Sequence, residues 1–71
     1  MATYNFSKDA KTDDGHEMQR FLRDGHTTKE LTAGTYRLAT TDVVAPGSLG
    51  VLPANVTYRL HPDGGIQLVV T

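Results

Sequence analysis

The residues best suited to chemistry crowd the first third of the chain. Asp13 and Asp14 are adjacent, with Asp9 and Glu17 on either side. A glycosidase or lyase needs two carboxyls facing one cleft across several ångströms. Neighbouring aspartates at a helix start point in different directions, and capping of free helix amides accounts for Thr12, Asp13 and Asp14 together. A calcium loop needs spaced oxygen ligands and a distal Glu; Lys11 interrupts residues 9–15, and that pattern is missing. His16, His26 and His61 share no short ligand spacing, and the chain has no Cys. Ser7 and Ser48 lie in loop contexts without a nucleophile-elbow pattern. Gly47, Gly64 and Gly65 precede no helix, so they read as corners and not as a phosphate cradle. Asn55-Val56-Thr57 fits a glycosylation triplet, which has no meaning without a secretory signal. Tyr36 and Tyr58 have faces that suit a sugar or base, yet their alternation with Thr and Arg places them at half-buried strand positions. The expectation is a protein that is not an enzyme, with no catalytic residue, no cofactor and no metal.

Positioning falls to one helix and several strands. Residues 12–25 carry the helix: Met18, Phe21 and Leu22 form one narrow apolar stripe, and Gly25 supplies a left-handed stop. Three apolar side chains make no core alone, so the stripe must lie on something else. Residues 1–11 read as an N-terminal arm in which Tyr4 and Phe6 alternate and could dock on a neighbour. From residue 27 to residue 71 the pattern is β. Residues 27–31 suggest a short strand, and Thr32-Ala33-Gly34 a turn. Thr35-Tyr36-Arg37-Leu38 alternates, and Thr41-Asp42-Val43-Val44 follows up to a break at Ala45-Pro46-Gly47. Leu49-Gly50-Val51-Leu52 is a short apolar run. Val56, Tyr58 and Leu60 alternate before the turn His61-Pro62-Asp63-Gly64-Gly65, and Ile66, Leu68 and Val70 close with a period of two. Thr-Tyr-Arg-Leu occurs twice, at 35–38 and 57–60, an offset of 22 that suits a chain coiling so that equivalent strands stack. Stacking would set Arg37 beside Arg59, a like-charge pair with a cost.

Length then limits what these elements can do alone. A chain of 71 residues is one domain, and such a chain buries only about 60% of the surface its unfolded form exposes. Without disulfides or a metal, oligomerisation is the remaining route to stability. Seven basic and eight acidic residues give a formal net charge of −1 with no basic block, which argues against nucleic acid. No stretch reaches the length needed to span a bilayer, and no charged and apolar leader opens the chain, so no membrane is expected and synthesis is assigned to the cytoplasm. Ten Thr and seven Gly with no Trp favour strands and turns.

The order Lys11-Thr12-Asp13-Asp14, amphipathic helix, then Leu31-Thr32-Ala33-Gly34-Thr35-Tyr36-Arg37-Leu38 resembles the N-terminal cap and first rungs of pectate-lyase-like right-handed β-helix proteins, the group containing many phage tailspikes. In that family a TDD segment opens a capping helix and a PAGTY segment enters the first rung; Thr12-Asp13-Asp14 and Ala33-Gly34-Thr35-Tyr36 match, and Asp42-Val43-Val44-Ala45-Pro46-Gly47 looks like the next strand and corner. Thr32 stands where the family has Pro, and Gly15-His16-Glu17 where it has small apolar residues. The family's catalytic acidic residues lie in later rungs that this chain does not possess. The resemblance therefore implies a cap without the chemistry.

The fold class expected is mainly β with one short N-terminal helix: a minimal β-helix-like domain, or a small β-sandwich or barrel, completed by oligomerisation. Tyr4, Phe6, Leu49, Val51, Ile66, Leu68 and Val70 are the expected subunit interface, in a homotrimer. The resemblance implies a bacteriophage virion structural protein, a capsid decoration (cement) or tail-associated component whose partner is the major capsid protein or a tail protein, located in the virion. The alternative it leaves open is a carbohydrate-binding or head domain of a tailspike-like protein.

Overall fold

The computed structural model describes residues 3–39, 43–62 and 64–71. One helix, α1 (Gly15–Arg23), packs on an open three-stranded antiparallel sheet of β1 (Gly34–Leu38), β2 (Val56–Leu60) and β3 (Ile66–Val70), and two single 3₁₀ turns, Thr28–Glu30 and Pro46–Leu49, shape the connections. The expectation of a small, mainly β domain with one helix holds. Residues 27–31 do not form a strand: Thr28–Glu30 winds into a 3₁₀ turn, and the Glu30 carboxylate accepts the Thr27 N–H at 2.7 Å, a local bond that extended backbone would not permit. Val43 and Val44 lie in a turn and a bend; Thr41, Asp42 and the turn residue Asp63 fall outside the described residues.

α1 is shorter than the expected span because its start is set by Asp14, whose carbonyl accepts the Met18 N–H at 2.9 Å. Its end is a Schellman closure. Gly25, at φ 93°, donates to the Leu22 carbonyl at 3.0 Å, and His26 donates to the Phe21 carbonyl at 3.2 Å. The apolar contact that accompanies this motif is made by the His26 ring, stacked on Phe21 with centroids 4.9 Å apart. Met18 and Phe21 are buried and Leu22 is half-buried, so the stripe read from the sequence is the face that meets the sheet.

The sheet order is β1-β3-β2. β2 and β3 form a hairpin whose turn returns through Gly64 at φ 96°, with His61 N–H donating to the Gly65 carbonyl at 2.7 Å. Gly65 admits no side chain, because a Cβ there would collide with the Leu38 and Ala39 carbonyls at the end of β1. Ile66, Leu68 and Val70 alternate strictly with half-buried Gln67 and Val69, and all three lie in the core cluster that includes Met18 and Phe21 of the helix. The two Thr-Tyr-Arg-Leu segments are not stacked neighbours: β3 runs between them, antiparallel to both. The register is nevertheless the same on each side, with Tyr36 and Tyr58 both opposite Leu68, and Arg37 and Arg59 both opposite Gln67. The two arginines are thus separated by two strand spacings, about 10 Å, and the like-charge cost of direct stacking does not arise.

Candidate interaction interface

The two margins of this sheet differ. On β1, backbone groups of odd-numbered residues point away from β3, and the chain's own N-terminal segment meets them. Asp9 adopts a left-handed conformation (φ 50°), which Asp tolerates, and turns residues 10–14 alongside the strand. Ala10 N–H donates to the Thr35 carbonyl at 2.8 Å, and Asp14 N–H to the Arg37 carbonyl at 2.6 Å. Asp13 finishes the seal: one carboxylate oxygen accepts both the Gly15 N–H at 2.6 Å and the Ala39 N–H at 3.0 Å.

This geometry corrects the capping expectation. Asp13 caps the first helical amide and ties down the β1 margin with the same oxygen. The Asp14 side chain makes no cap bond to the helix: its Oδ1 accepts the Ser7 N–H at 3.2 Å, and the buried Oδ2 meets no hydrogen-bond partner among the described residues. Burial is the main reason its carboxyl titrates above the usual range, with the Ser7 bond opposing. Thr12 is exposed and lies before the N-cap residue, Asp14, with no capping bond from its side chain among the described residues.

On β2 the parity is opposite. Thr71 N–H donates to the Asn55 carbonyl, and His61 N–H to Gly65, so odd-numbered residues face β3 and the backbone groups of Val56, Tyr58 and Leu60 face outward. Val56 N–H is held by the Pro53 carbonyl at 3.0 Å. The outward N–H and C=O of Tyr58 and Leu60 meet no group among the described residues. Past Val56 every residue of the strand is exposed. Its apolar face extends the core beyond the reach of the helix: Tyr58 is 43% and Leu60 76% exposed. Its other face carries Thr57 and Arg59. Across the sheet, the Arg37 guanidinium lies 3.3 Å from His61 Nε2, to which it can donate.

The interface residues expected from the sequence divide accordingly. Leu49, Ile66, Leu68 and Val70 are buried in the chain's own core together with Met18, Phe21 and Val44, and retain almost no surface for a partner. Tyr4 and Phe6 are half-buried in a series of edge-to-face contacts: Tyr4 on Phe21 at 5.2 Å, Phe6 on Phe21 at 5.6 Å and Phe6 on Tyr36 at 5.2 Å. Arg20 lies 5.1 Å over the Tyr4 ring and donates to the Thr3 carbonyl, so the arm is strapped to its own helix. Val51, 95% exposed in the loop before β2, is the one residue of the set left free. Tyr58 and Leu60 were missed. Their alternation reads as a half-buried strand, and the position of β2 at the sheet end exposes them.

The remaining chemistry does not converge. His26 pairs with Glu30 at 3.0 Å and His16 is exposed on the helix. Among the described residues no group of three His, Asp or Glu could hold a metal ion, and no helix is long and apolar enough to cross a membrane. A cleft of about 330 Å³ lies between residues 6–9 and 32–36, but the Tyr36 hydroxyl on its wall already donates to the Thr32 carbonyl at 2.6 Å. Tyr58 is the one exposed aromatic ring; the other four pack on or beside one another. No protein-family model, no curated protein and no solved structure matches the chain.

Proposed function

We propose that this chain is a non-enzymatic assembly module that joins other polypeptides through the β2 margin. One observation carries the reading: an edge strand whose outward Tyr58 and Leu60 backbone groups meet no partner among the described residues and whose Tyr58 and Leu60 side chains are exposed, on a sheet whose opposite margin is lined by residues 10–14. Bare edge strands template pairing with another chain, and proteins that do not use them usually block them. The resemblance to the cap of phage β-helix proteins suggests the setting: a homo-oligomeric virion component, either a capsid decoration or a tail-associated protein. A carbohydrate-binding or tailspike head domain has less support, since a sugar platform needs several exposed rings and Tyr58 stands alone.

The test is particle composition. Virions produced from the genome that encodes the chain should carry it in many copies relative to the major capsid protein. Leu60→Asp, which alters an exposed side chain, should lower that number without unfolding the protein. Absence from purified particles would contradict the virion role.

A further inference from the structure

This inference rests on the assembly reading and names the occupant of the margin. We infer that β2 pairs with β2 of a second copy of the chain, antiparallel about a two-fold axis through Tyr58, joining two three-stranded sheets into one continuous sheet.

The hydrogen-bonding groups match in this register. Tyr58 faces its own counterpart and the two exchange both backbone bonds. Leu60 N–H meets the Val56 carbonyl of the second copy, and the reverse bond follows by symmetry. Val56 N–H is unavailable because it already donates to Pro53. Of the outward groups on each strand, only the Leu60 carbonyl is then left to water.

The side chains match as well. On the apolar face Leu60 lies against Val56 of the second copy, and Tyr58 against Tyr58, so the exposed part of β2 becomes interior to the joined sheet. On the polar face Arg59 lies against Thr57. Sliding the pairing one way sets Arg59 directly on Arg59; sliding it the other way leaves Leu60 outside the paired strand residues. The register centred on Tyr58 avoids both. A formal net charge of −1 sets little general repulsion between copies.

Closure is decided at the other margin. A ring or filament built through sheet edges needs β2 of one copy to meet β1 of the next. Residues 10–14 and the Asp13 carboxylate occupy that position. Only the self-complementary contact remains, and it stops at two copies.

A charge-swap cycle on the full chain, read by sedimentation equilibrium, tests the register. The wild-type chain should show a monomer–dimer equilibrium. Thr57→Arg sets arginines opposite each other at two symmetric positions, and should weaken the dimer roughly tenfold. Adding Arg59→Glu to that variant should restore it. Both positions are exposed on the polar face, so circular dichroism should be unchanged throughout. A dimer indifferent to Thr57→Arg, a trimer, or a monomer at every concentration overturns the self-pairing. The assembly reading fails separately, if Leu60→Asp leaves the copy number on particles unchanged.

Discussion

The same four residues, Thr-Tyr-Arg-Leu, form both outer strands of this sheet in the same register against the same central strand, and their fates diverge. Tyr36 is 4% exposed and Leu38 fully buried; Tyr58 is 43% exposed and Leu60 76%. Local sequence cannot explain the difference, because it is shared. What differs is the cover. β1 lies under the helix and beside residues 10–14, whereas β2 has the core at Val56 and solvent thereafter. A strand repeat therefore specifies pairing and register, while burial is set by what the rest of the chain lays across it.

The largest consequence of this asymmetry should appear in paired truncations. Leu38→Ala removes fully buried methyl groups and should cost about 2–5 kcal/mol, enough to threaten a domain of this size. Leu60→Ala, the equivalent change in the other copy, should alter stability by no more than about 0.5 kcal/mol while weakening self-association. Equal losses by chemical denaturation would break the comparison. A smaller effect concerns the seal itself. Asp13→Ala removes the acceptor for both the Gly15 and Ala39 amides and should cost about 1–2 kcal/mol. It also uncovers part of the β1 margin, so light scattering should detect species larger than a dimer. If they do not form, the Asp13 seal is not what keeps that side closed.

The smallest effect is a pH dependence. Burial raises the Asp14 carboxyl above its unfolded value, so protonation favours the fold. Its contribution is most favourable below the ordinary carboxylate range and declines as pH rises through the folded value. Glu30 runs the other way: its bonds to His26 and the Thr27 amide lower its pKa, so its contribution is lost on acidification. The stability of Asp14→Asn relative to wild type, from urea melts between neutral and mildly acidic pH, isolates the first trend. The wild-type chain should gain on the variant as pH falls. A gap independent of pH would mean that the Asp14 carboxyl is not held above its unfolded value.

Much of the scaffold was legible in the residues themselves. The Met18, Phe21 and Leu22 stripe, the Gly25 stop, the turn at Gly64 and Gly65 and the alternation of Ile66, Leu68 and Val70 are local signals, and each appears where its spacing places it. Periodicity says that one face of a strand is covered and not by which surface. Ile66, Leu68 and Val70 therefore read as an interface when they are covered by the chain's own core. The opposite error concealed Tyr58 and Leu60. A strand at the sheet end carries the same alternation as one in the middle, and the order β1-β3-β2 depends on a crossover that no turn signal encodes. Asp13 was legible as a cap, but its bond to Ala39, 26 residues away, was not.

Residue-resolved amide hydrogen exchange across a dilution series tests the contrast between the margins most directly. In dilute solution the Ala10, Asp14 and Ala39 amides, which close β1, should exchange slowly, while those of Tyr58 and Leu60 exchange near the rate of an open chain. Raising the protein concentration should slow Tyr58 and Leu60 alone. Strong protection of those two amides in the dilute monomer would contradict the account, because it would mean that the β2 margin is already covered from within.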